Sequence, residues 1–320
     1  MKVLVTGGAG FIGSHVVEAL ARRGDEVWVL DSFDDFYAPA LKRGNYAAAS
    51  AAGKVQLVEG DLRDAAAIAR AFAPGPEAVV HLAARAGVRP SIEQPVLYAQ
   101  VNVEGTARLL EAARLAKVRT FVFASSSSVY GSRSQAPFRE DDAVNRPISP
   151  YAATKLAGEM LCATYAQLYP MQVAALRFFT VFGPRQRPDL AIAKFVKLAR
   201  AGAPVPFYGD GSSARDYTFV EDICRGVIAA VDRRWPQFEV VNLGGSRPVT
   251  LKELVEAIGH ATGKSVALDR KPNQQGDVPL TCADTAKAAS LLGWSAKTPL
   301  AEGLARYVAW LGTPDGQRWL

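Results

Sequence analysis

The stretch Thr6-Gly7-Gly8-Ala9-Gly10-Phe11-Ile12-Gly13 decides the fold. It follows an apolar run, Lys2-Val3-Leu4-Val5, and leads into a segment of helical period over 11–23. Each glycine of such a strand-to-helix turn has a physical purpose. One makes the tight turn, one lets the backbone approach a pyrophosphate, and one lets the helix pack closely. Free amides at the helix start then face the phosphates. Gly7, Gly10, Phe11, Ile12 and Gly13 are therefore the first candidate dinucleotide-binding residues. Asp31 closes the next apolar run eighteen residues beyond Gly13, where a carboxylate accepts hydrogen bonds from ribose hydroxyls. Its negative charge would repel a 2′-phosphate, so NAD is expected rather than NADP. Asp61, with Leu62 beside it after the third run, is placed to meet the adenine, although an acid there also serves as a helix cap.

Outward from this turn, short β-branched runs alternate with longer helical segments. Strands are predicted over 2–6, 26–31, 55–60, 78–82, 120–124 and 172–177, and helices over 11–23, 65–72, 96–116 and 151–168. That alternation predicts an α/β fold, a doubly wound parallel sheet of the Rossmann type. Residues 1–180 read as an NAD-binding domain to which 216–244 returns. Proline and glycine become dense over 185–211, so 181–320 reads as a smaller, mixed α/β substrate domain, with helices over 251–262, 284–292 and 300–310.

Composition narrows the function. The 320 residues are long enough to bury a core without disulfides. Lys+Arg 37 against Asp+Glu 31 gives +6, scattered rather than in tracts, which argues for an anionic small substrate and against nucleic acid. No apolar stretch is long enough to span a bilayer, no secretory leader precedes the first strand, and three distant cysteines fit free thiols in a reducing compartment. A cytoplasmic enzyme is expected. The helices over 96–116 and 151–168 carry large apolar groups on more than one side, so a homodimer packed through them is expected as well.

Tyr151 and Lys155, four residues apart after Pro150, share one helix face. A tyrosine that acts as a base near neutrality needs positive charge beside it, which Lys155 and a nicotinium ring would supply. Upstream, Phe121-Val122-Phe123-Ala124-Ser125-Ser126-Ser127-Ser128 brings Ser126 to the end of a predicted strand as the third member.

With these motifs the whole chain resembles the extended short-chain dehydrogenase/reductase family, and within it the NAD-dependent nucleotide-sugar epimerases. The resemblance also covers His81-Leu82-Ala83-Ala84, Asn102-Val103-Glu104-Gly105-Thr106, Arg215-Asp216-Tyr217 and Gly276-Asp277-Val278-Pro279. It implies that Leu82, Ala83, Ala84 and Asn102 lie beside the cofactor, that Ser126 shares the substrate hydroxyl with Tyr151, that Arg215 meets the diphosphate, and that Asp277 meets the uridine ribose.

The reaction is read from the two residues after Ser126. Dehydratases of the family carry Asp-Glu there and decarboxylases a Glu at the second place; here they are Ser127 and Ser128. Thr180 stands where glucose-type epimerases usually have asparagine. This run of neutral hydroxyls resembles the bacterial UDP-glucuronate 4-epimerases, as do Phe36-Tyr37-Ala38-Pro39 with Lys42-Arg43, Ala84-Arg85-Ala86-Gly87-Val88-Arg89, and Gly183-Pro184-Arg185-Gln186-Arg187-Pro188-Asp189. Arg89, Ser127, Ser128, Thr180, Arg185 and Arg187 are the expected substrate ligands. A UDP-glucose/UDP-galactose 4-epimerase, a UDP-glucuronate decarboxylase and a non-catalytic NAD sensor are the alternatives.

Overall fold

Continuous apolar runs become strands here because helices cover both faces of the sheet that they build. The computed structural model describes residues 1–133, 135–272 and 278–320. Asp277 lies outside the described residues. The six predicted runs become β1 (Lys2–Thr6), β2 (Glu26–Asp31), β3 (Val55–Glu59), β4 (Ala78–His81), β5 (Thr120–Ser126) and β6 (Gln172–Phe178). After them come β7 (Thr180–Phe182), β8 (Val205–Tyr208), β9 (Ala214–Phe219), β10 (Phe238–Leu243), β11 (Pro248–Thr250) and β12 (Leu268–Lys271).

Seven strands form one parallel sheet of order β10-β6-β5-β4-β1-β2-β3. The order reverses between β1 and β4, and the carboxyl ends of strands at such a switch point leave a crevice for a ligand. Beside this sheet stand a mixed three-stranded one, β11-β9-β7, and the pair β12-β8.

The helices that cover the sheet are α1 (Phe11–Arg22), α2 (Pro39–Ser50), α3 (Ala65–Phe72), α4 (Val88–Glu93), α5 (Pro95–Ala99), α6 (Gly105–Leu115) and α7 (Pro150–Leu168). Those further along are α8 (Ala191–Arg200), α9 (Val220–Asp232), α10 (Leu251–Thr262), α11 (Ala286–Leu292) and α12 (Leu300–Leu311). Val16, Val17 and Leu20 of α1 pack with Ile223 and Val227 of α9 on one face; Leu109 and Leu110 of α6 pack with Cys162 and Ala166 of α7 on the other. A separate apolar cluster gathers Phe195 of α8, Ile258 of α10 and Tyr307 of α12 around Phe182 and Phe219.

Several elements were not expected, α2 and α9 among them, and two departures bear on the sequence reading. The helix predicted over 96–116 is α5 and α6 joined by one wide turn of π-helix, Gln100–Glu104, and such turns recur at functional sites. Within 185–211, where proline and glycine hid any period, the chain forms α8, with Ile192, Phe195, Val196 and Ala199 buried along one side.

α7 carries the candidate catalytic pair, and its seat is set by packing. Ser149 caps it by accepting from the Ala152 amide at 3.1 Å, and Pro150 occupies the first turn. Farther along, Gly158 lies so close to β5 that a Cβ would meet the Phe123 ring at 2.4 Å. The absence of a side chain there lets Lys155 reach the end of the sheet.

Candidate active site

A cavity of about 520 Å³ opens at the switch point. Its floor is the glycine turn. A Cβ on Gly13 would lie 2.0 Å from the Gly7 carbonyl oxygen, so the third glycine lets α1 sit on the turn itself. No side chain caps α1 and its first turn holds no acid, and Gly10, Phe11, Ile12 and Gly13 all line the cavity. Amides presented in this way bind phosphate oxygens. Asp31 is buried at the end of β2 and accepts from the Ala9 and Phe33 amides, each at 2.9 Å. Burial raises its pKa, and the two amides counter that rise. A carboxylate offers about four lone-pair sites, so both oxygens keep capacity for ribose hydroxyls.

Asp61 and Leu62 line the same end. Asp61 is not a helix cap: Asp64 caps α3, while Asp61 holds Arg63 at 2.9 and 2.8 Å, and that pairing lowers its pKa. Leu82, Ala83 and Ala84 form the adjacent wall. Asn102 does not reach the cavity lining. Its amide accepts from the Arg85 N–H at 2.8 Å and donates to the Arg85 carbonyl at 2.9 Å and Thr154 Oγ1 at 3.0 Å. It therefore ties the cavity loop to α7 from behind.

At the other end stand Tyr151, Lys155, Ser126, Ser127, Ser128 and Thr180. Lys155 Nζ donates to the Ala124 carbonyl at 2.7 Å, and burial lowers its pKa to about 8. Burial raises the pKa of Tyr151, while Ser126 and then Arg187 pull it down. Ser126 Oγ accepts from the Ser128 amide at 3.1 Å, which leaves its own proton to donate outward. Behind the serines, Glu159 accepts from Ser125 Oγ at 2.5 Å and from Arg177 at 2.9 and 2.8 Å. This ion pair is fully buried and doubly bonded, the geometry in which a charge pair withstands desolvation.

The expected arginine ligands divide. Arg187 lines the cavity and is steadied by a bidentate pair with Asp189, at 3.0 and 2.8 Å. Arg185 does not line it. Its backbone takes φ 61°, the left-handed region, and its side chain pairs with Glu18 on α1 at 2.8 Å. Arg89 is exposed on α4, and Arg215 on β9 pairs across to Val249; neither lines the cavity. Among the wall residues that received no role from spacing are Phe36, Tyr37, Lys42 and Arg85. Phe36, Tyr37 and Arg85 come from connections between elements, where no periodicity marks a position, and Lys42 from α2, a helix that the sequence reading did not predict. The acids that line the cavity, Asp31, Asp34 and Asp61, all belong to the ends of β2 and β3 or the connections after them. Among the described residues none lines the wall of serines.

The model of the family described as GDP-mannose 4,6 dehydratase matches residues 4–307. A UDP-glucuronate 4-epimerase of Thermodesulfobacterium geofontis is 39% identical over 309 residues, covering 96% of this chain and 95% of that protein. The solved UDP-glucuronic acid 4-epimerase of Bacillus cereus, in complex with UDP-glucuronic acid and NAD, superposes with a TM-score of 0.91 at 35% identity, covering 97% of this chain and 99% of that one. MoeE5 in complex with UDP-glucuronic acid and NAD gives 0.88 at 38% identity, covering 100% of both. The chain belongs to the extended short-chain dehydrogenase/reductases, in the family described by the GDP-mannose 4,6 dehydratase model.

Proposed function

We propose that the protein interconverts UDP-glucuronate and UDP-galacturonate by epimerisation at carbon 4, with tightly held NAD. One observation carries this reading: the hydroxyls of Ser126, Ser127, Ser128 and Thr180 share a cavity with Tyr151, Lys155 and Arg187, and among the described residues no carboxylate lines the wall that those hydroxyls form. Hydroxyls and a guanidinium bind a substrate carboxylate without adding a proton-transfer group. The uncapped start of α1 suits a pyrophosphate and the Asp31 carboxylate suits a ribose, which together fit NAD. Held there, NAD would supply the hydride acceptor and donor for carbon 4.

Tyr151 removes the proton of the 4-hydroxyl, and the Lys155 ammonium favours its phenolate. Ser126 donates to the tyrosine oxygen or the sugar oxygen. A sugar that turns about its diphosphate then meets the same groups from the opposite face. The 4-keto uronate so formed is a β-keto acid, and it loses carbon dioxide when the carboxylate bond aligns with the carbonyl π system. Ser127, Ser128, Thr180 and Arg187 hold the carboxylate out of that alignment, so orientation decides the outcome.

Incubation with UDP-glucuronate and no added reductant, followed by NMR, tests the proposal. UDP-galacturonate is the expected product; UDP-xylose, or turnover of UDP-glucose alone, overturns it.

The same reading includes a homodimer. Leu115 on α6 and Met160 and Leu168 on α7 are each more than half exposed, on neighbouring helices whose inner faces are already committed to the sheet. The free, buried Cys162, Cys224 and Cys282 support a reducing compartment, the cytoplasm.

A further inference from the structure

Three connections from different parts of the sheet meet at one aromatic ring. Phe36 lies between β2 and α2. The Arg85 guanidinium, from between β4 and α4, lies 5.2 Å from its ring centre, and the Arg187 guanidinium, from between β7 and α8, lies 5.0 Å away. Guanidinium groups within about 6 Å of a ring are held by its quadrupole, more firmly where water is scarce. All three residues line the cavity.

Each member is fixed from behind. Arg85 donates to the Asp34 carboxylate at 2.5 Å and to Gln94 at 3.2 Å. Arg187 is held by Asp189. The Lys42 ammonium donates to the Asp34 carbonyl and lies 4.6 Å from the Tyr37 ring centre. The segment 32–38 is thus a strap gripped by cations from α2 and from two other connections. Two buried polar atoms here, Tyr37 Oη and Arg85 Nε, have no hydrogen-bond partner in the protein. A ligand with polar groups would satisfy them.

We propose that Phe36 is a positioning residue, the clasp of this cavity. Through Arg85 and Arg187 it joins the strap on the Asp31 side to the connection that stands beside Tyr151. Bound NAD then leaves only after the stack opens. The purpose rests on the proposed epimerisation, in which dinucleotide and oxidised sugar must stay together between two hydride transfers. The clasp itself is testable without sugar.

The test compares NAD-loaded wild type with Phe36→Ala, Phe36→Leu and Phe36→Tyr, following NAD release after rapid dilution. Phe36→Ala and Phe36→Leu are expected to release NAD about tenfold faster, while Phe36→Tyr, which keeps the ring face, matches wild type. Phe36→Leu keeps apolar bulk, so it carries the test if the alanine variant does not fold. Adding Arg187→Met to Phe36→Ala is expected to cause little further acceleration, because both remove the same stack. Equal release from all variants, or effects of Phe36 and Arg187 that multiply, overturns the proposal. A wild type that holds NAD but leaves UDP-glucuronate unchanged would defeat the epimerase reading and leave the clasp comparison intact.

Discussion

His81 is neutral in this fold, and its neighbours assign its tautomer. Thr106 Oγ1 donates to the Asn102 carbonyl at 2.6 Å, so it accepts from His81 Nε2 at 2.9 Å. Nδ1 then accepts from Thr6 Oγ1 at 2.7 Å, and that oxygen accepts from the Ala83 amide at 3.2 Å. Burial, with the Lys155 charge behind it, lowers the histidine pKa to about 3. Burial also lowers the pKa of Lys155, from 10.5 to about 8. Between those values the unfolded chain binds more protons than the folded one, so stability without NAD rises with pH. From pH 7 to 9.5 wild type is expected to gain about 2 kcal/mol from this group. Urea unfolding at the two pH values checks it, with Lys155→Met expected to lack the gain. Product ratio tests the serine wall. Ser128→Glu or Thr180→Val is expected to raise carbon dioxide and UDP-pentose relative to epimer; unchanged ratios in both variants would remove the role given to those hydroxyls. Residue types at fixed spacing were legible here: the glycine turn, Asp31, Tyr151 and Lys155 stand where the sequence reading expects them on the cavity wall. The choice between Arg185 and Arg187 was not. Two arginines two positions apart look alike until the backbone at Arg185 turns left-handed and directs it to Glu18.

At the scale of elements, α7 works by being close to β5. Gly158→Ala would press a methyl group into the Phe123 ring, and overpacking of this kind typically costs about 1–3 kcal/mol. The ring also lies 5.0 Å from Lys155 Nζ, so relief of the clash shifts that amine. Denaturant midpoints and steady-state rates are expected to show lost stability together with a fall in kcat larger than any change in KM. The inner strands of the large sheet were legible because a parallel strand buried on both faces is apolar throughout; β4, for example, is buried along its whole length. Strands without that signal were missed. β7 has three residues, and β12 is exposed at every position.

Across the whole molecule, the exposed apolar groups of α6 and α7 predict self-association. Sedimentation velocity is expected to give a dimer, and Met160→Glu combined with Leu168→Glu a monomer, since two charges would be desolvated in the interface. A monomeric wild type at micromolar concentration would contradict this. α1 also grips the connection that bears Arg187: His15 Nε2 donates to the Pro184 carbonyl at 2.9 Å, beside the Glu18–Arg185 pair. The sequence offered no means of seeing that contact, because its partners lie far apart along the chain.

The large sheet ends in β10, whose Phe238–Leu243 zips onto β6 long after the chain has left to build its smaller sheets. A gene truncated near residue 180 would therefore encode a dinucleotide fold with its border ladder unmatched. Such a fragment is expected to clump through the bare rim of β6 when expressed alone. Residues 1–180 are thus not expected to serve as a portable module, because the sheet that they begin is completed by Phe238–Leu243.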